Sequence, residues 1–355
     1  MKKLFFMTAV VGLALTSCSQ EELSAPVAEN NEITFAAPLV GKNTRAVTEV
    51  GTQYDQNATF GVWAKYNTTT PTSWTAGNFY IGTDATDDHG VEASYKAAVN
   101  GWAFGKPGSW TPYYWPKNGN LSFIAYSPYT AAATVTGEGI QFTNYTVGDA
   151  ADVDLLFSEV ARNKTKADVN TVAPWSGIDI AFKHALSSVR FAVKTADTYT
   201  GTTIKVKNIN VLNAYSVADF NQGLANTADA VTAPANACWD NYETERTYDA
   251  FTGDITVGAA AKYVHNDNAA PTANTTDLIL LPQPLQDGTQ VKVQVEYTIT
   301  SPNGNTFDQV TELPLTGTWK RGTRYTYTVV FGLDEIYLDP TVEAWDDVNG
   351  GDITI

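Results

Sequence analysis

The chain has 355 residues, a length that usually corresponds to two domains, and a formal net charge of −16. So acidic a surface repels phosphate groups, and the composition therefore excludes a nucleic-acid partner. Cysteine occurs only as Cys18 and Cys238; because Cys18 ends the N-terminal leader, no internal disulfide is expected and stability must come from apolar burial.

The N-terminus has the features of an export signal. Two lysines precede an apolar run over residues 4–15, which is too short for a membrane-spanning helix of about 20 residues. Leu-Thr-Ser directly before Cys18 resembles a bacterial lipobox, and the polar, acidic residues 19–22 suit a tether that leaves a membrane. We predict a lipoprotein signal peptide over residues 1–17, lipidation of Cys18 and an outer-membrane location. The alternative is an ordinary signal peptide with an incidental cysteine.

Short alternating segments dominate the rest of the chain. No segment sustains the i, i+3, i+4, i+7 apolar spacing of a long helix. Period-two strands separated by Gly, Pro and Asn turns predict an all-β protein of antiparallel sandwiches that are solvated on one face. The predicted strands are residues 32–36, 59–66, 121–126, 178–182, 188–193, 204–211, 277–281, 291–299 and 324–331.

One polar stretch is the best candidate for a linker. Residues 161–176 are polar and charged and contain Pro174. We therefore predict an N-terminal sandwich over residues 46–175 and a C-terminal sandwich over residues 176–355.

Residues that would carry chemistry are sparse. The three histidines, His89, His184 and His265, are far apart in sequence, and no nucleophile, zinc or phosphate-loop motif occurs. Residues 84–90 contain three aspartates, but their spacing departs from the EF-hand pattern, so a solvated turn is preferred over an ion site. We predict no catalytic residues, no metal and no cofactor.

Aromatic residues cluster between Trp102 and Pro116. They allow two interpretations. Exposed rings could stack on sugars, as an adhesin requires, or the rings fill the core of a sandwich. The cluster runs directly into the strand at residues 121–126, which favours the core.

An ordered series of short motifs extends over essentially the whole chain. No motif is specific by itself, but their order is. The motifs are the lipobox at Cys18 and residues 32–35, 44–46, 60–64, 114–116, 121–128, 182–189, 278–284, 319–327 and 342–345. Together they resemble the fimbrillin family of Bacteroidales, the subunits of protease-assembled (type V) pili.

The resemblance implies two tandem transthyretin-like β-sandwiches and a processed precursor. A removable first strand, residues 32–40, would lie within a lipidated pro-segment of residues 18–45. An arginine-specific surface protease would cut between Arg45 and Ala46, although Arg45 can also be an incidental exposed residue. The exposed edge would accept a strand from another subunit. The residues that define the removable strand are Glu32, Ile33, Thr34 and Phe35.

The C-terminus has the pattern of a donor strand. Residues 346–351 are polar and glycine-rich, and Ile353 and Ile355 point to the same side of an extended chain. They would fill the groove of the next subunit and so build a filament. The alternative is that the last strand pairs within its own domain.

These features lead to one main functional hypothesis and several alternatives. The main hypothesis is a non-enzymatic subunit of a cell-surface fimbria, assembled with other fimbrial subunits as a homopolymer or heteropolymer and supporting adhesion. The alternatives are a monomeric surface adhesin that binds a host protein or glycan, a fimbrial tip protein, and a membrane anchor.

Overall fold

Strands form nearly all the regular structure of the chain, and they assemble into three sheets. The computed structural model describes residues 31–36, 38–40, 54–83, 88–171, 176–223, 238–264, 277–286, 290–332, 336–344 and 353–354. Within these residues the helical segments are two short 3₁₀ turns, Ala97–Val99 and Lys166–Asp168. No helix in this part of the chain is long and apolar enough to cross a membrane. The all-β prediction is confirmed.

The first sheet has eleven strands. They are β1 (Thr34–Phe35), β2 (Leu39–Val40), β3 (Phe60–Asn67), β4 (Asn78–Ile81), β5 (Val91–Lys96), β6 (Gly101–Lys106), β7 (Ser109–Trp110), β8 (Asn120–Ser127), β11 (Leu156–Ser158), β12 (Ala161–Lys164) and β13 (Ala181–His184). The spatial order is β1-β6-β5-β3-β8-β11-β13-β2, and β4, β7 and β12 pair outside this path. The sheet therefore begins and ends with strands from residues 34–40.

The second and third sheets have six strands each. The second contains β9 (Ala133–Thr136), β10 (Gly139–Thr146), β15 (Thr203–Asn221), β16 (Trp239–Thr256), β19 (Lys292–Thr300) and β20 (Thr306–Pro314). The third contains β14 (Ser187–Thr195), β17 (Lys262–Tyr263), β18 (Leu278–Leu280), β21 (Thr323–Phe331), β22 (Ile336–Ala344) and β23 (Ile353–Thr354).

The middle of the first sheet is buried on both faces. Along β8, Phe123 belongs to one buried cluster, whereas its neighbours Ile124 and Tyr126 belong to another. Successive side chains of a strand point to opposite faces, so a strand buried on both faces needs apolar residues at nearly every position. This explains why residues 121–126 are almost continuously apolar.

The second and third sheets share one core. Val206 and Val295 of the second sheet are fully buried in the same cluster as Phe191 and Val329 of the third. In the second sheet, β15 and β19 alternate buried and partly exposed residues over much of their length, which is the pattern of a sheet that packs on one face. In the third sheet, β14 and β21 are buried at most positions. The apolar face of each sheet is thus covered by the other.

The structure differs from the sequence predictions in the linker and in strand direction. Residues 161–164 form β12 and pair with β8, so the linker prediction is wrong there. The side chains of β12 are only half-buried, and the polar sequence of such a strand resembles that of a loop.

The strand directions also differ from the prediction. Two pairs of strands are parallel, β13 with β2 and β14 with β21. In addition β10 pairs with β15, which joins residues 139–146 to the second sheet. The division near residue 175 remains a prediction.

A buried amide joins the first sheet to the second. Gln222 is fully buried, and its Oε1 accepts a hydrogen bond from the Ile140 backbone N–H at 3.1 Å. Its Nε2 donates to the carbonyl oxygen of Ser158 at 2.7 Å. Ile140 lies on β10 and Ser158 on β11, so one side chain satisfies buried backbone groups of two sheets.

Replacement of this amide tests the junction. We expect Gln222→Ala to lower the free energy of unfolding by about 3 kcal/mol, because two buried backbone groups lose their partners. Gln309→Ala, on the exposed strand β20, is the matched control and should change it by less than about 0.5 kcal/mol. Urea denaturation of the two variants measures both values. Equal effects would show that Gln222 does not join the sheets.

Candidate functional site

The candidate site is the terminal segment, residues 32–36, together with the groove that holds it. On one side β1 pairs antiparallel with β6, with Thr34 opposite Ala103 and Phe35 opposite Trp102. The pairing continues upstream, where the Ile33 N–H donates to the Tyr113 carbonyl at 2.8 Å. This side of the groove is therefore a strand edge followed by the loop at residues 113–114.

The other side of the groove is the backbone around Ile178. Its N–H donates to the Thr34 carbonyl at 2.8 Å, and its carbonyl accepts from the Ala36 N–H at 3.0 Å. Further along, β2 pairs in parallel with β13, with Leu39 opposite Ala181. Residues 32–40 thus connect the two ends of the first sheet and satisfy backbone groups on both.

Two side chains of the terminal segment lie in the core. Ile33 and Phe35 are both fully buried. The Phe35 ring meets three other rings edge-on, at centroid distances of 5.6 Å to Phe60, 5.4 Å to Phe104 and 5.7 Å to Phe123. Edge-to-face contacts at these distances stabilise beyond simple area burial. The segment is consequently an integral part of the buried cluster that contains Phe60, Phe104 and Phe123, which we call the N-terminal core.

Two glycines allow the backbone of the terminal segment to approach closely. A Cβ built on Gly101 would lie 2.6 Å from the Phe35 carbonyl oxygen, and one built on Gly177 would overlap the Phe35 carbonyl carbon. Gly177 also has a φ of +141°, which side chains rarely allow. The groove is therefore shaped for an extended backbone, with glycine on each side of it.

An ion pair between Glu32 and Lys96 marks the start of the segment. The Lys96 Nζ lies 2.8 Å from the Glu32 Oε1, and both side chains are more than four-fifths buried. Lys96 also lies over the Trp110 ring, 5.3 Å from its centroid. Partial burial makes this pair stronger than a typical surface salt bridge.

The other predicted site residues lie in different places. Cys18, Arg45 and Ala46 lie outside the described residues, and so does Ile355. Ile353 lies on β23 and pairs with Val342 of β22 in the same chain. The last strand therefore occupies one edge of the third sheet, which is the arrangement that had been the alternative to donation.

The aromatic cluster and His184 are mainly structural. Trp102, Phe104 and Trp115 are buried in the N-terminal core, and Tyr114 is 54% exposed. The core interpretation of this cluster is confirmed for the three buried rings. The His184 Nδ1 lies 2.6 Å from a carboxylate oxygen of Asp154, as expected of a satisfied structural histidine.

The aspartate-rich loop is described only in part. Asp88 accepts a hydrogen bond from the Gly90 N–H at 2.7 Å and another from the Thr83 N–H, so its carboxylate closes the turn. Within the described residues no group of three acidic, His or Cys side chains could hold a metal ion.

Sequence reasoning did not find Lys96, Gly101 or Gly177. Lys96 is one of many surface-type lysines in the sequence, and each glycine reads as a turn residue. Their roles depend on contacts with residues more than sixty positions away, as the Glu32–Lys96 pair shows. The opposite charges of Glu32 and Lys96 were the signal available in the sequence. This signal is weak, because so acidic a chain offers many possible acidic partners for each lysine.

The class of the chain, a fimbrial or cell-adhesion subunit that acts at the cell surface, follows from its family. The chain belongs to the fimbrillin-like family, whose model matches residues 44–345, and the resemblance inferred from the motifs is confirmed. This family indicates a structural role. No curated protein matches the chain in sequence.

Solved structures resemble the chain in fold. A fimbrial protein from Bacteroides vulgatus is 17% identical with a TM-score of 0.54, and the match covers 89% of this chain and 100% of that one. A protein from Bacteroides ovatus named for cell adhesion is 17% identical with a TM-score of 0.49, covering 88% and 98%. The first likeness shows that the fold is shared.

Truncation of the buried ring tests the importance of the terminal segment. We expect Phe35→Ala to lower the free energy of unfolding of the uncleaved chain by about 4 kcal/mol, because it leaves a cavity among three rings. Phe307→Ala is the matched control, since Phe307 is 52% exposed, and should cost less than about 1 kcal/mol. Chemical denaturation gives both values. A cost for Phe35→Ala as small as the control's would mean that the segment is not part of the core.

Proposed function

We propose that the chain is a subunit of a cell-surface filament that matures by loss of residues up to Arg45 and polymerises by strand exchange. The precursor would be held in the outer membrane by a lipid on Cys18, and an arginine-specific surface protease would release it. The observation that carries the proposal is the insertion of residues 32–36 between two backbone edges of their own sheet. Because the segment lies upstream of Arg45, cleavage there would separate it covalently from the rest of the sheet.

Loss of the segment would leave an unsatisfied groove. The edge of β6 and the backbone of Ile178 would lose their hydrogen-bond partners, and the pocket of Phe35 would lose its ring. Unpaired edges that border an apolar pocket are a template for another strand. An extended segment with alternating apolar residues would restore both the hydrogen bonds and the burial.

The rest of the N-terminal core would survive the cleavage. Tyr54 follows Arg45 in the chain, and its ring packs against Phe60 at 5.9 Å, Trp102 at 5.6 Å and Phe182 at 5.7 Å. Its hydroxyl shares a hydrogen bond of 2.6 Å with Ser127, and burial raises the pKa of this phenol above its ordinary value. The new N-terminal region would thus remain attached to the sheet next to the groove.

The C-terminal strand is the proposed donor. Within the described part of the chain, β23 pairs along one edge, with Thr354 opposite Thr341 and Ile353 opposite Val342. The groove offers two edges, so a strand that moved there would gain backbone hydrogen bonds on its second side. Because the end of one subunit fills the groove of the next, the contact does not close on itself and a filament forms.

The wider proposal concerns organisation and partners. We assign the sandwiches to residues 46–175 and 176–355, with the transthyretin-like layout of type V pilins. The partners are other fimbrial subunits, and the filament supports adhesion to a host protein or glycan.

Removal of the cleavage site tests maturation. Arg45→Ala should leave an exported, folded monomer that does not polymerise, because the terminal segment stays in its groove. Lys42→Ala removes a neighbouring basic residue and should leave assembly unchanged. The measurements are the N-terminal residue and the polymer content of sheared surface material. Normal polymers from Arg45→Ala would contradict cleavage-driven assembly.

Removal of the last four residues tests donation separately. A chain that ends at Gly351 should fail to donate a strand but should still accept one, so it caps growing filaments. Mixing it with the wild-type subunit at increasing ratios should shorten the filaments, as seen by electron microscopy. Unchanged filament length at all ratios would show that the C-terminus is not the donor.

A further inference from the structure

The chain contains two copies of the same four-residue pattern, one at each end. Residues 32–35 read Glu-Ile-Thr-Phe, and residues 352–355 read Asp-Ile-Thr-Ile. Position by position, the two share an acidic residue, an isoleucine, a threonine and a large apolar residue. The second copy ends at the last residue of the sequence.

Each position of the first copy has its own receptor in the groove. The carboxylate of Glu32 meets Lys96 at 2.8 Å. Ile33 and Phe35 are fully buried in the N-terminal core, with Phe35 among three rings. The Thr34 carbonyl accepts a hydrogen bond from the Ile178 N–H at 2.8 Å, and Thr34 lies opposite Ala103 of β6. The groove therefore reads acid, apolar, small polar, apolar along an extended chain.

We propose that the last four residues of a second copy of this chain occupy the groove in register with residues 32–35 and in the same direction. This inference rests on the strand exchange proposed above and deepens it by naming the register and the residue that sets it. Asp352 takes the place of Glu32 at Lys96, Ile353 that of Ile33, Thr354 that of Thr34 and Ile355 that of Phe35. Lys96 is thus the specificity-determining residue for the incoming strand.

Other registers satisfy the groove less well. A shift by one residue places threonine in the core and the isoleucines outside it, because side chains alternate along a strand. If the incoming strand slides two positions further along the groove, Ile353 enters the pocket of Phe35 and Asp352 moves away from Lys96. In the proposed register both apolar positions and the charged position are filled together.

The negative net charge of the chain makes the positive charge of Lys96 important for an incoming strand. The net charge of −16 means that two copies repel each other at long range. A lysine at the entrance of the groove gives the acidic end of the incoming strand a local partner, and a like charge there would oppose entry. A mostly buried pair of this kind fixes register rather than simply adding affinity.

A charge exchange tests the register. Glu32→Lys combined with Lys96→Glu reverses the ion pair in the uncleaved chain and removes the contact of Lys96 with the Trp110 ring, so urea denaturation of the uncleaved double variant first establishes that it is folded. After cleavage its groove carries a carboxylate at position 96, which repels the Asp352 of an incoming strand. We expect elongation of this double variant to be at least tenfold slower than that of the wild type, by order of magnitude.

Reversal of the donor charge completes the exchange. Adding Asp352→Lys to the double variant should restore elongation to within about twofold of the wild-type rate, because the ion pair is reformed between copies. Asp347→Lys in place of Asp352→Lys is the matched control: it changes the charge of the tail equally and should not restore elongation. Light scattering after cleavage measures every rate under the same conditions.

The outcomes separate the two proposals. If the cleaved wild type does not polymerise, strand exchange itself is wrong. If it polymerises and the double variant elongates at the same rate, the register is wrong while strand exchange stands. The register is also overturned if Asp347→Lys restores elongation as well as Asp352→Lys does.

Side-chain size gives a second readout that does not depend on charge. The pocket of Phe35 accepts an aromatic ring, so Ile355→Phe should fill it better and slow the dissociation of polymers by about fivefold. Ile353→Phe places the same ring in the pocket of Ile33 and should accelerate dissociation. If Ile353→Phe slows dissociation and Ile355→Phe does not, the strand lies two residues further along than proposed.

Discussion

Buried backbone N–H and C=O groups need partners, and at both ends of the first sheet those partners come from β1 and β2. One end of its strand order is β1 on β6, and the other is β2 on β13. The same residues bury Phe35 and Ile33 in the N-terminal core. Backbone pairing and side-chain burial therefore depend on one short segment near the start of the chain. Loss of this segment would expose both backbone groups and apolar side chains, so its position near the start of the chain is consistent with a role for its removal.

Two other outer strands, β16 and β20, carry features that oppose strand addition. The outer strand β16 carries five exposed acidic residues and is interrupted by left-handed residues at Asn241 and Thr244. The edge strand β20 is mostly exposed and carries Asp308 and Glu312. Charges and bulges are the usual means by which proteins prevent edge-to-edge association. Within the described part of the chain, the edges beside the terminal segment combine glycines with an apolar pocket. This contrast supports the groove as the place where the proposed strand exchange would occur.

Much of the fold could be predicted from residue alternation, and the parts that could not share a physical reason. The strands near residues 60, 121 and 323 carry apolar residues in a strand pattern, and their predicted and observed bounds agree closely. The strand β16 was not predicted because its sequence is mainly polar; its pairing with β15 and a few buried residues, among them Trp239 and Tyr248, hold it in place. The segment at residues 32–36 was predicted as a strand, but its partners were not. Lys96, Gly101 and Gly177 owe their roles to distant contacts, and such contacts leave no local periodicity.

Covalent attachment explains how so well-held a segment could be exchanged. In the uncleaved chain, residues 32–36 are tethered to their groove, and their high effective concentration excludes a competing strand. Cleavage after Arg45 would remove that advantage without changing a single contact in the groove. The segment would then compete with C-terminal strands by mass action, and a chemically similar strand would replace it wherever subunits are concentrated. Within the described residues β23 is paired along one edge, whereas residues 32–36 are paired along two. In the proposed mechanism the number of paired edges would set the direction of exchange, and the protease would set its timing.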